Sequence, residues 1–148
     1  MKKETVTFSR QNCLTSRQWY LVDAQGKTVG RLASAIAGVL RGKNNPAFSS
    51  HLDSGDFVVV INAQQVRFSG KKLRDKIYYR HTEYPGGIRK TSAGQLLASR
   101  PEEILKKAVV GMLPKTPLGR RLAGKLKVYA GPDHPHTAQQ PAVLPLGE

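Results

Sequence analysis

The side chains in this sequence that could do chemistry are mostly cations, and they come in two runs. Gly70-Lys71-Lys72-Leu73-Arg74 leads into Lys76 and Arg80, with Arg89 and Lys90 beyond. A glycine lets backbone approach a ligand closely, and lysines beside it supply point charges for phosphate. Tyr78, Tyr79, His81 and Tyr84 interleave with these charges. Flat side chains between cations suit unpaired bases and sugars, the usual objects of RNA recognition. The second run, Gly111-Met112-Leu113-Pro114-Lys115-Thr116-Pro117-Leu118-Gly119-Arg120-Arg121, reads as the end of one helix and the start of another. Helix N-termini attract anions. Arg120, Arg121, Lys125 and Lys127 would line up behind that terminus, and the two arginines can fork onto phosphates. Two prolines and two glycines in this stretch favour a shaped surface fitted to folded RNA over a major-groove helix. No helix-turn-helix or zinc-finger pattern competes.

Other chemistry fails on spacing. Gly26-Lys27-Thr28 resembles the end of a phosphate-binding loop, but that loop needs a glycine at position 21, which is Leu. No G-x-G-x-x-G follows a strand, so a dinucleotide site has no support. His134-Pro135-His136 has no second Cys/His cluster to complete a metal site, and the two read as surface histidines. Asp53 and Asp56, with His51 nearby, lack a paired nucleophile and read as turn residues around Ser54-Gly55. Cys13 has no basic or histidine residue immediately beside it and reads as an inert thiol. Catalytic, cofactor and metal sites are therefore not expected.

The charge balance agrees. The 148 residues carry 24 Lys+Arg against 10 Asp+Glu, a net charge of +14. So much unbalanced charge repels itself unless a polyanion neutralises it, which points to nucleic acid first and an anionic membrane second. Residues 67–90 hold eight basic and two acidic groups; residues 106–127 hold seven basic and none acidic. Those two segments account for +13, and the balance of the chain is nearly neutral. No apolar run approaches the roughly 20 residues of a membrane span, and no secretory apolar stretch follows Met1. A membrane-surface protein would need an amphipathic helix with a basic polar face, and the helix around Leu32 to Leu40 has few charges.

These cations need elements to hold them. Residues 1–17 read as an arm, 18–130 as one α/β domain, and 131–148 as an extended, proline-rich tail held by a partner rather than by its own core. Trp19-Tyr20-Leu21-Val22-Asp23 reads as a strand. Thr28 caps a helix carrying Leu32, Ile36, Val39 and Leu40, and Gly42 ends it. Phe57-Val58-Val59-Val60-Ile61, apolar without alternation, reads as a strand covered on both faces. Strand, helix and buried strand make a βαβ unit. Val66-Arg67-Phe68 and Ile77-Tyr78-Tyr79-Arg80 look like short strands around the basic turn, and His81 to Lys90 like a loop. A helix spans 92–99. Another opens at Pro101, with Ile104, Leu105, Ala108, Val109 and Met112 as its apolar face, and stops at Pro114. Pro117 to Gly124 suggests a short helix, and Lys127-Val128-Tyr129 a last strand.

Several of these segments carry a resemblance. Gly111-Met112-Leu113-Pro114-Lys115 with Leu118-Gly119-Arg120, then Leu126-Lys127-Val128-Tyr129-Ala130-Gly131, is similar to the bacterial-type large-subunit ribosomal protein L-thirteen family. Trp19-Tyr20 with Val22-Asp23-Ala24, Gly30-Arg31-Leu32-Ala33, Leu40-Arg41-Gly42-Lys43, Ser54-Gly55-Asp56, Ile61-Asn62-Ala63, Gly70-Lys71-Lys72 and His134-Pro135-His136 with Ala138-Gln139 match as well. The similarity runs from about Arg17 to Pro141; residues 1–16 match nothing in it.

The resemblance implies a three-layer α/β/α domain around a four-stranded, mainly parallel sheet. It implies a structural constituent of the large subunit that binds 23S-type ribosomal RNA during early assembly, beside neighbouring large-subunit proteins, with no catalytic site, cofactor or small-molecule substrate. By matched motif it implies RNA contact at Arg41, Lys43, Lys71, Lys72, Lys115, Arg120, Arg121, Lys127, His134 and His136. Local charge adds Arg74, Arg80, Arg89, Lys90 and Lys125. A competing reading, an RNA-modifying or nucleotide-using α/β enzyme, rests on the βαβ pattern alone, and fold does not fix function. The expected location is a cytoplasmic ribosome. Met1 followed by a short arm leaves no room for a transit peptide and leans bacterial, with an organellar ribosome still open.

Overall fold

A computed structural model describes residues 17–46 and 48–144. Residues 1–16 of the expected arm, Cys13 among them, Ala47 and the last four residues of the tail lie outside the described residues. β1 (Trp19–Asp23) runs through a turn into α1 (Val29–Arg41). Val29, Leu32, Ala33, Ile36, Val39 and Leu40 recur at helical spacing and are buried. Gly42 ends the helix in the left-handed region at φ 79°, where a side chain would be strained. The chain then enters β2 (Phe57–Ile61), which pairs parallel with β1 from Trp19↔Phe57 to Asp23↔Ile61. This is the βαβ unit that the apolar pattern predicts. Val58, Val59 and Val60 have no exposed surface, as expected of a strand flanked and covered on both faces.

Beyond β2 the chain makes one short α-helical turn, α2 (Lys72–Asp75), then β3 (Ile77–His81) and β4 (Ile88–Ser92). α3 (Ala93–Ser99) starts with a capping box: the Ser92 hydroxyl accepts from Gln95 N, and the Gln95 side chain accepts from Ser92 N. α4 (Pro101–Met112) and α5 (Pro117–Gly124) each open on the expected proline. β5 (Leu126–Val128) pairs parallel with β2 on the side away from β1, and β6 (Ala142–Val143) pairs parallel with β1. The four-stranded sheet has order β5-β2-β1-β6. The fold is therefore α/β with a parallel sheet. Val22, Val58, Val60, Leu126 and Val128 meet α1 and α4 in one apolar core. On the opposite face Trp19 stacks on Phe57, with ring centroids 4.4 Å apart and planes 7° apart.

Four details differ from the expectations. Val66-Arg67-Phe68 forms one bridge, Thr28↔Arg67, rather than a strand. Of the loop expected from His81 to Lys90, residues 82–87 are the turn, but His81 ends β3 and Ile88 to Lys90 begin β4, antiparallel to β3 in a separate two-stranded sheet. Met112 is 49% exposed at the end of α4 rather than part of its buried face. The tail is not left to a partner alone: Leu144 N donates to Leu21 O at 2.9 Å, and Leu144 packs against the core.

One buried ionic cluster ties distant loops together. Lys125, ahead of β5, is only 4% exposed. Its ammonium donates to the Asp53 carboxylate and, at 2.7 Å, to the Gly55 carbonyl. Asp53 also pairs with Arg17 at 2.8 Å. Burial lowers the Lys125 pKa below its usual 10.5, and the hydrogen bond and charge of Asp53 oppose that shift without cancelling it. Local charge predicts that Lys125 faces RNA; it is instead an internal strut, because Asp53 and Gly55, in the approach to β2, hold its ammonium inside.

A second close contact fixes the α4–α5 turn. A Cβ added at Gly119 would lie 1.7 Å from the Pro114 carbonyl oxygen. Thr116 caps α5 by accepting from Gly119 N at 3.3 Å.

These contacts have measurable consequences. Asp53→Ala strands the Lys125 ammonium and should lower unfolding stability by about 3 kcal/mol in denaturant titrations. Gly119→Ala should cost about 1–3 kcal/mol, because the turn must open to admit the methyl group. The Lys125 shift also has a sign. Its folded pKa lies below its unfolded value, so the unfolded chain binds this proton more tightly. Stability from this group therefore rises with pH between the folded pKa and 10.5. Lys125→Met should remove that rise from the alkaline limb of the stability curve.

Candidate nucleic-acid interface

The α4–α5 junction builds one cationic surface. Leu113 is 5% exposed and anchors the turn in the core, which pins Pro114 above it. On one side of this ridge a groove is floored by Val110, Leu113, Pro114 and Ala123, with Lys106, Lys107, Lys115 and Arg120 along it. On the other side a second cleft brings Arg41 and Lys43 from the end of α1 against Met112, Leu113 and Pro114. Residues far apart in sequence thus flank a single ridge. Lys106 and Lys107 pair with Glu102 and Glu103 at 3.4 and 3.2 Å within α4. Such exposed pairs are weak and do not remove the lysines as ligands. Arg100 and Lys107 hold the Glu103 carboxyl below its usual pKa. Arg121 is exposed on α5 but points away from Arg120, as successive helical residues must. The two arginines therefore point in different directions rather than forming one fork.

The second surface lies around the turn that follows Phe68. Lys71, Lys72 and Lys76 share a concavity with Ser69 and Gly70. The adjoining cleft adds Arg31, from the first turn of α1, and Arg67. Sequence reasoning omits Arg31 and Arg67 from the site. Their positions depend on the Val29 N to Arg67 O hydrogen bond, 3.0 Å, which joins α1 to a distant segment. The one local signal is Gly30-Arg31 beside a helix start. Arg74 is exposed and pairs with Asp75 at 3.2 Å.

The β3–β4 hairpin carries the remaining cations of the first run. Arg80 and Arg89 are register partners on adjacent strands, and Tyr79 is opposite Lys90. Like charges directly opposite disfavour the pairing, and an anion between them would relieve that cost. Alternation places Arg80 on the same face as Tyr78, which packs partly against the core. Burial raises the Tyr78 pKa. The Lys76 and Lys107 ammonium groups each lie 5.4 Å from its ring centroid.

Lys127, His134 and His136 form a third group, on the sheet face opposite α1 and α4. Lys127 is half-buried on β5 beside Val59. The Tyr129 hydroxyl and His136 Nε2 are 2.8 Å apart, and the His136 ring lies 5.1 Å from Trp19. His136 N donates to His134 Nδ1 at 3.2 Å. His136 thus fastens the tail to Trp19 at the start of β1 and to Tyr129 just past β5, while His134 braces it from within the tail, roles the sequence does not suggest. Among the described residues no three His, Cys, Asp or Glu side chains could hold a metal ion together. No described helix is long and apolar enough to cross a membrane.

Comparison with known proteins fits this arrangement. The model of the family described as Ribosomal protein L13 matches residues 17–135. A protein of Symbiobacterium thermophilum named large ribosomal subunit protein uL13 is 56% identical over 128 residues, covering 86% of this chain and 90% of the relative. Proteins of the same name from Alcanivorax borkumensis and Brevibacillus brevis are 55% and 56% identical. They cover 95% and 93% of this chain and 99% and 94% of their own lengths. With a match that spans both cationic runs and the sheet that carries them, the chain belongs to the ribosomal protein L13 family.

Proposed function

We propose that the protein is a structural constituent of the large ribosomal subunit that binds 23S-type ribosomal RNA and stabilises its fold during early assembly, in support of translation. The relatives are named as large-subunit proteins. The observation that carries the RNA reading is the placement of Arg41, Lys43, Lys115 and Arg120 on the two sides of one rigid ridge. Cations fixed on a preformed surface bind phosphates with little ordering cost. The domain 18–130 supplies that surface. The remaining residues assigned to RNA contact are Lys71, Lys72, Arg74, Arg80, Arg89, Lys90, Arg121 and Lys127, with His134 and His136 from the tail. Lys125 is left out because Asp53 and Gly55 hold it inside. Neighbouring large-subunit proteins are the other partners, the setting is a cytoplasmic ribosome, and the role is mechanical rather than catalytic.

Replacing Lys115, Arg120 and Arg121 by Ala tests this directly. Affinity for large-subunit RNA should fall. The slope of log affinity against log salt should flatten by about 0.7–0.9 for each phosphate no longer neutralised. Incorporation into large-subunit particles should drop in parallel. Unchanged affinity, slope and incorporation would remove the junction from the interface.

A further inference from the structure

The β3–β4 hairpin has a face that phosphate binding does not explain. Strand alternation puts Ile77 and Tyr79 on the side away from the core, with Ile88 on the same face from the partner strand. These three are 43%, 63% and 60% exposed, and Tyr84 at the turn is 76% exposed. The Lys90 ammonium lies 5.9 Å from the Tyr79 ring centroid. An aromatic and aliphatic face left open to water marks an interaction site.

Charge selects the occupant. Residues 76–92 carry Lys76, Arg80, Arg89 and Lys90 against the single acid Glu83. On the reverse face Arg80 and Arg89 stand opposite each other. A ligand for this hairpin therefore joins flat apolar surface to closely spaced anions. An unpaired nucleotide has both, whereas a paired duplex hides its base faces in the stack. We infer that the Ile77–Tyr79–Ile88 face is a stacking platform for an unpaired base of RNA, with Lys90 at its phosphate and the Arg80–Arg89 pair on a second phosphate behind. This rests on the RNA-binding reading above and specifies the kind of nucleotide that one surface takes. As the base stacks, Lys90 swings from the ring to the adjoining phosphate on its flexible stem.

The test compares Tyr79→Ala, Tyr79→Phe and Tyr79→Leu in the full chain bound to large-subunit RNA. Affinity, salt slope and chemical reactivity of unpaired bases are read together. Tyr79 is exposed, so all three variants should keep the thermal stability of the parent. Tyr79→Ala should weaken affinity about tenfold, the scale of one base–aromatic stack, with the salt slope unchanged and an unpaired base newly reactive. Tyr79→Phe should match the parent, and Tyr79→Leu should behave like Tyr79→Ala. Two outcomes would overturn the platform. One is unaltered affinity and base protection in Tyr79→Ala. The other is rescue by Leu as full as by Phe, which would indicate an apolar protein partner. A Lys115→Ala, Arg120→Ala variant run alongside separates the two levels. If it weakens binding while Tyr79→Ala does not, RNA binding stands and only the platform fails.

Discussion

The fold turns on the parallel pairing of β2 with both β1 and β5. Val58, Val59 and Val60 are completely buried, and a strand in that position fixes its neighbours in register. The register Trp19↔Phe57 sets where α1 begins and so where Arg41 and Lys43 end up. The register Val58↔Leu126 sets where α5 must finish, which holds Lys115 and Arg120 near them. The Lys125–Asp53 contact adds a tie from within, joining the approach to β2 to the approach to β5. Apolar burial thus determines the spacing of charges that themselves contribute nothing to the core.

Three of the described acids, Asp23, Asp53 and Asp56, are committed to internal geometry. Asp53 holds Arg17 and Lys125, Asp56 accepts from Gln18 N at 3.0 Å, and the Asp23 carboxylate accepts from Asn62 and Gln25 N. Those last hydrogen bonds lower the Asp23 pKa. Glu102 and Glu103 serve α4. The excess cations are therefore displayed on the junction, the Lys71–Lys76 concavity and the hairpin. Self-repulsion among them weakens the isolated fold and strengthens its attraction to a polyanion.

Much of this is legible in the sequence. β1, α1, β2, α4 and α5 announce themselves through aromatic and branched runs, helical spacing, and the prolines and glycine at their ends. The cationic junction is legible because basic residues cluster around Pro114, Pro117 and Gly119. What stays hidden depends on contacts between distant residues. β4 reads Ile-Arg-Lys-Thr-Ser, with no apolar alternation, and is a strand only because β3 lies beside it. β6 is two residues long and owes its place to β1. Lys125 looks like its basic neighbours until Asp53, seventy-two positions away, is brought to it. Arg31 and Arg67 are brought together by a backbone bridge, Val29 N to Arg67 O and Arg67 N to Lys27 O, between segments far apart in sequence. The Arg80–Arg89 juxtaposition follows from a hairpin that the sequence reads as strand and loop.

Charge on this protein is displayed on defined surfaces rather than spread as a basic coat. Crosslinking of the full chain to RNA inside large-subunit particles, mapped to single residues, tests that most directly. Crosslinks should concentrate in residues 67–90 and 106–127, joined by Arg41 and Lys43, with the buried face of α1 and Lys125 silent. Crosslinks scattered evenly over the exposed lysines and arginines, or centred on α3, would contradict it.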